Sequence, residues 1–356
     1  MVHSARNPAP DAQRSGAERP IPAGPVPIDV HAHAVPGLAL AALRAAGRRR
    51  EVEVLQMDAG IAVSVAGRVS PPIPPALLTA NGEGADRRTV AMDRAGIGCQ
   101  LLSPWMELTP VGMSGQAGRW YAAAINESLA AEVADSAGRF EGLGMVPLTD
   151  PDGAVAELHR CLDLGLAGVE IATSLPGLRL DDASLEPFWQ AASARRAVVL
   201  LHPFRPFGGA QSDRLGDIVG NPAETAVAVG RLLLDGLLDR LPELRLCAVH
   251  GGGVLPYLAG RLAAMAELDG RPGRGATVTA GLDRLYFDSL THSTRSLGWL
   301  LEFAGPGRVL LGSDYPFETG CPDPLASVDA LPALAAADRA ALVGGTARRL
   351  LADVRH

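Results

Sequence analysis

The sequence contains no lysine; all 32 basic residues among its 356 are arginine. Schiff-base catalysis and a carbamylated lysine bridging two metal ions are therefore closed to this chain. Long apolar runs are missing too. None approaches the ~20 residues that span a bilayer, so no membrane partner is expected. The four cysteines, Cys99, Cys161, Cys247 and Cys321, lie far apart and make no C-x-x-C pair. Packed thiols in a reduced, cytoplasmic protein are the expectation. Net positive charge is also lacking: the balance is −7 with the acidic residues scattered, which argues against nucleic acid as a partner. The Arg48–Arg50 run reads as a solvated loop. Residues 1–25 hold no continuous apolar stretch, so a flexible arm is expected there rather than a secretory leader, followed by a single domain over 26–356.

What the chain does have is alternation. Short apolar runs at Val26–His31, Ile97–Ser103, Glu141–Met145, Gly168–Ile171, Ala197–His202, Arg245–His250, Arg284–Asp288 and Arg308–Gly312 read as strands. Helical patterns separate them at 85–95, 117–137, 153–164, 184–195, 222–238, 254–268 and 294–303. Strands alternating with helices give a parallel sheet, and eight of them predict a closed (β/α)8 TIM barrel. Two regions fall outside the pattern. Residues 37–83, after the first strand, predict a small β-rich lid over the barrel mouth, and the tail beyond Cys321 predicts closing helices.

Polar residues sit where the apolar runs end. VPIDVHAH places His31 and His33 two apart, on one side of a strand, with Asp29 below them. Later runs end at His202, His250, Asp288 and Asp314. In an α/β barrel the C-terminal strand ends gather at one rim, so these residues should converge. Neutral imidazoles plus a carboxylate suit zinc better than an all-oxygen ion. His31, His33, His202 and Asp314 are the expected ligand set, with manganese as an alternative occupant and a water whose pKa the metal lowers. His250 is then the acid/base group, a fifth ligand or stacked wall residue being its other reading. Asp288 is a candidate to orient His250 or water, or to serve the core edge. Gly251–Gly253 would let backbone approach an anion at the next helix.

These motifs (IDVHAH, LHPF, the stretch from GNPAET to LAGRL, YFDS and LGSDYPF) resemble the amidohydrolase-related metal-dependent decarboxylases. The likeness runs from about Pro27 onward and is densest over Leu200–Phe317. It implies one zinc on His31, His33, His202 and Asp314, with His250 catalytic. It also implies two arginines that hold carboxylates of a small-molecule substrate: Arg68 from the lid, and Arg261, which a homodimer partner would present. A plain surface arginine is the alternative for Arg261. Phe204 stands where the family usually has Trp, keeping an apolar wall without an indole N–H, and Phe317 adds to that wall. The implied activity is non-oxidative decarboxylation of a small unsaturated or aromatic acid. The rival on the same barrel is a zinc-dependent hydrolase of an amide or lactone.

Overall fold

Short runs carrying aliphatic and aromatic residues form the strands. In chain order these are β1 (Ile28–Ala34), β2 (Val52–Met57), β3 (Gly60–Val65), β4 (Arg68–Val69), β5 (Cys99–Pro104), β6 (Phe140–Met145), β7 (Gly168–Ala172), β8 (Val198–His202), β9 (Arg245–Ala248), β10 (Tyr286–Asp288) and β11 (Val309–Leu310). The computed structural model describes residues 26–47, 51–78, 83–113, 115–204, 214–268, 272–332 and 334–355. The expected N-terminal arm and the Arg48–Arg50 run lie outside the described residues.

Eight strands pair in parallel in the order β1-β5-β6-β7-β8-β9-β10-β11. Backbone bonds then close the sheet on itself. Val30 N donates to Leu311 O at 2.8 Å, Asp314 N to His31 O at 2.8 Å and His33 N to Tyr315 O at 2.8 Å. The fold is a TIM barrel, as the alternation predicts. All seven expected helices are present, and a helix outside that pattern, Arg274–Leu282, precedes β10. That helix is rich in Gly, Ala and Thr, so its periodicity is faint in the sequence.

Strand alternation divides the barrel residues. Ile28, Val30, Val169, Ile171, Val199 and Leu201 are buried in the main core, while Asp29, His31, His33, Gln100 and Glu170 are buried polar groups of the barrel interior. The helices Pro324–Asp329, Ala336–Ala340 and Thr346–Ala352 follow the last strand. Leu342 O accepts from Leu311 N at 3.1 Å, and Arg355 N donates to Arg195 O at 2.8 Å. Among the described residues no helix is long and apolar enough to cross a membrane.

The insertion after β1 opens with a helix, Gly37–Ala46, before its strands begin. The β-rich expectation therefore holds for only part of it. Ala39, Leu40 and Leu43 bury one face of this alanine-rich helix. β2 pairs with β3 and β3 with β4, all antiparallel. Leu43, Val52, Val63 and Val65 share a second core with Trp105, Leu108, Tyr121 and Ile125. The lid is thus anchored to the loop after β5 and to the helix Gly115–Asp135.

Candidate metal centre

β1 brings His31 and His33 to the barrel mouth, β8 ends on His202, and His250 and Asp314 follow β9 and β11. The sequence-predicted residues do converge. Ring centroids are 5.1 Å apart for His31 and His33, 5.3 Å for His31 and His202, 4.8 Å for His33 and His202, and 5.2 Å for His31 and His250. Ligand atoms of His31, His202, His250 and Asp314 all lie within 4.8 Å of one another, as do those of His33, Glu170 and His202. His250 is as close to the cluster as the expected ligands are. Both His250 (φ 55°) and Asp314 (φ 58°) adopt left-handed backbone, a strained choice that recurs at functional sites.

Hydrogen bonds fix the direction of the lone pairs. His31 Nδ1–H donates to Asp288 Oδ2 at 2.6 Å, and His202 Nδ1–H donates to Pro203 O at 2.7 Å. Each ring therefore turns its Nε2 inward, and on His202 that atom carries a lone pair. His31 Nε2 meets His33 Nε2 at 3.2 Å. Asp314 Oδ1 stands 3.4 Å from the first and 3.2 Å from the second. His202 Nε2 and Asp314 Oδ1 are buried without a hydrogen-bond partner among the described residues. Acceptors crowded this closely repel unless a proton or cation lies among them. Burial disfavours charge on His31, yet Asp314 and Asp288 outweigh it and raise its pKa from 6.5 to about 9. Burial is also the main influence on His202, and with the neighbouring imidazoles it pushes that pKa well below 6.5. Burial opposes ionisation of Asp314 too, but His31, His250 and His33 hold its pKa far down. A basic, oriented donor set of this kind, once His31 gives up its proton, fits a divalent cation.

Asp288 is fully buried, and its carboxylate contacts run to His31 and to backbone. One oxygen orients His31, and the other accepts Gly251 N at 2.7 Å and Leu290 N at 3.2 Å. It positions a candidate ligand and the turn that carries His250. The glycines after His250 offer no anion cradle, because their N–H groups are already spent. Gly251 bonds Asp288, Gly252 bonds Val249 O at 3.0 Å and Gly253 bonds His250 O at 2.9 Å. Close packing is what demands glycine here. A Cβ at Gly252 (φ 77°) would lie 2.7 Å from the Phe287 ring.

The cluster opens into a cavity of about 1170 Å³ walled by Trp105, Phe204, Tyr257, Trp299, Phe303 and Phe317. Phe204 and Phe317 are among these wall residues, and Arg68 and Arg261 are not. Arg68 donates from Nη1 to Glu107 Oε2 at 2.5 Å and from Nη2 to Glu107 O at 2.9 Å and Thr109 O at 3.0 Å. Its guanidinium lies 5.0 Å from the Phe204 ring centre. Arg261 is exposed on the helix Leu255–Glu267. Neither is a lining residue of the cavity among the described residues. Sequence reasoning missed Glu170, whose Oε1 is buried, unpartnered and 3.8 Å from His33 Nδ1. Burial, opposed by His33 and His31, raises its pKa. The available signal was a lone acid inside the apolar run GVEIA. His292 also lines the cavity.

These strand-end ligand candidates on a barrel define a class, and family comparison agrees: residues 28–352 match Amidohydro_2, the amidohydrolases, and the chain belongs to that family. Among curated relatives, 2-amino-3-carboxymuconate-6-semialdehyde decarboxylase of Dictyostelium discoideum is 34% identical over 238 residues, covering 64% of this chain and 65% of its own length. Gamma-resorcylate decarboxylase of Rhizobium sp. (strain MTP-10005) is 31% identical over 261 residues, covering 65% and 77% respectively. A crystal structure of 5-carboxyvanillate decarboxylase from Novosphingobium aromaticivorans, complexed with manganese, superposes with a TM-score of 0.73 at 23% identity, covering 92% of this chain and 96% of that one. That likeness concerns the fold.

Proposed function

We propose that this chain is a metal-dependent, non-oxidative decarboxylase of a small unsaturated or aromatic carboxylic acid, similar to 2-amino-3-carboxymuconate-6-semialdehyde decarboxylase. The observation that carries the reading is the set of inward, unpartnered lone pairs on the floor of an aromatic-walled cavity. His31, His33, His202 and Asp314 would hold zinc; manganese is the alternative, and it is the ion bound in the 5-carboxyvanillate decarboxylase structure. A divalent ion there supplies Lewis-acid stabilisation of negative charge on the substrate. The aromatic walls hold a flat substrate and exclude water. When the C–C bond to the carboxylate breaks, CO2 departs and the electron pair stays on carbon, which must then receive a proton. His250 faces the cavity and suits that transfer.

Names of relatives support decarboxylation over hydrolysis. The hydrolase reading keeps one specific support, the absence of an arginine from the cavity wall among the described residues. A homodimer would change that. Val254, Tyr257, Leu258, Met265 and Leu268 form an exposed stripe on or beside one helix, with Tyr257 90% and Leu268 76% accessible. Arg261 sits within that stripe, and Val254 and Tyr257 also line the cavity. A second copy seated there would cover the rim and could present Arg261, consistent with a soluble, cytoplasmic enzyme. The test is CO2 release from a panel of aromatic and muconate-type acids by zinc- or manganese-loaded protein. His250→Ala should keep the metal and lose turnover, and Asp314→Ala should lose both. A ring-opened product with unchanged carbon count would instead establish the hydrolase.

A further inference from the structure

The helix Glu83–Ala95 reads as a polar surface segment, yet Arg88 is wholly buried. Among the described residues its guanidinium meets no carboxylate in ion-pair contact. Its bonds run to neutral acceptors instead. Nη1 donates to Gln100 Oε1 at 3.1 Å, and Nη2 donates to His33 O at 2.7 Å and to Ala76 O at 3.2 Å. The Tyr315 ring lies against it, with its centre 4.7 Å from the guanidinium carbon. Burial lowers its pKa to about 10, so it stays charged at neutral pH. A buried cation without an anion is costly, and such a group persists where its geometry is needed.

That geometry spans the seam where the barrel closes. Gln100 passes the contact on, its Nε2 donating to Asp29 Oδ2 at 2.9 Å. Asp29 in turn accepts Ser313 Oγ at 2.5 Å, Ser313 N at 3.0 Å and His31 N at 3.2 Å. One connected network therefore grips the backbone of His31 and His33 on β1, and Ser313 and Tyr315 on either side of Asp314. Three of the four proposed ligands hang from it. We propose that Arg88 is a positioning residue of the metal centre, a buried clamp that works through Gln100 and Asp29 to hold both sides of the seam at the spacing a cation needs. The planar fork explains the residue type: its separate nitrogens reach acceptors on β1, on β5 and in the lid at once, with a flat face left for Tyr315. A lysine ammonium offers neither the reach nor the plane.

The proposal rests on the metal reading above, and its test uses Co2+ titrated into chelator-stripped full-length protein, followed by visible absorption. Partners that orient metal ligands are worth about ten- to a hundredfold in affinity. Arg88→Met should therefore bind Co2+ at least tenfold more weakly and with an altered spectrum, while its far-ultraviolet circular dichroism is retained. Arg88→Lys should recover only part of the loss. Trp189→Phe serves as a control for general destabilisation, since it deletes a buried bond to Leu180 O at 3.0 Å on the helix after β7. It should leave Co2+ affinity and spectrum unchanged. If Arg88→Met does not fold, Gln100→Leu cuts the same network at its middle and should weaken Co2+ binding in the same way. Wild-type Co2+ affinity and spectrum in the folded variant would overturn the clamp alone. A wild-type chain that takes up no Co2+ would overturn the metal reading and the clamp together.

Discussion

Asp288→Asn is the most informative single change, because it alters one atom and leaves shape intact. Asp288 Oδ1 accepts two backbone N–H groups, from Gly251 and Leu290, and Oδ2 accepts the His31 ring proton at 2.6 Å. An asparagine has only one oxygen. The two backbone donors retain it, which turns the amide NH2 toward His31 Nδ1. The imidazole then relieves the donor–donor clash by moving its proton to Nε2, the atom that should carry a lone pair into the cluster. The bond lost is short and charge-assisted, of a kind worth about 1.5–3 kcal/mol. At about 1.4 kcal/mol per decade that is roughly ten- to a hundredfold in metal affinity. A competition titration with a chromophoric zinc chelator measures it, and 15N NMR of the histidine rings reads the tautomer directly. Wild-type zinc affinity with the His31 proton still on Nδ1 would refute the reasoning.

Metal uptake should depend on pH through His31. Its pKa near 9 means that below that point an entering cation must displace one proton. The free-energy slope of one proton gives an affinity falling about tenfold per unit as pH drops from 9 toward 6, and levelling above 9. A flat titration between pH 6 and 8 would rule this out. Gly252→Ala should destabilise the fold by about 2–4 kcal/mol in urea unfolding, combining left-handed backbone cost with overpacking against Phe287. An unchanged midpoint would mean that the turn yields freely. Leu268→Glu, in the exposed stripe, should convert a dimer to monomer in sedimentation velocity, and Arg261→Ala should lower activity without lowering metal content. A wild-type chain that sediments as a monomer removes the shared-site idea.

Legibility followed the range of the interaction. Strand parity in VPIDVHAH is local, so the common side of His31 and His33 is readable in the sequence. Barrel topology is regular, so the convergence of His202, His250 and Asp314 at one rim follows from their places at strand ends. What escaped was decided by single side-chain contacts between distant segments. Arg68 carries its lid position openly, but its engagement with Glu107, 39 residues on, has no local signature. Arg88 sits in ADRRTVAMDR, a stretch with every mark of a solvated face, and its burial depends on Gln100 and the His33 carbonyl. The contact of Asp288 with His31 has no local signature either, because two strand-end histidines compete for it and only the fold chooses. The helix Gly37–Ala46 was hidden by its alanines, which suit a helix without announcing which side is buried.

The seam has a consequence for the life history of the molecule. Its contacts join Asp29 and His31, near one end of the described chain, to Ser313 and Asp314, near the other. A ribosome must therefore deliver the chain as far as Asp314 before the four proposed ligands can meet. Nascent chains stalled before residue 309 would own three imidazoles and no completed cage. Under the proposed metal reading, capture of an ion by the full set would follow synthesis of the last barrel strand.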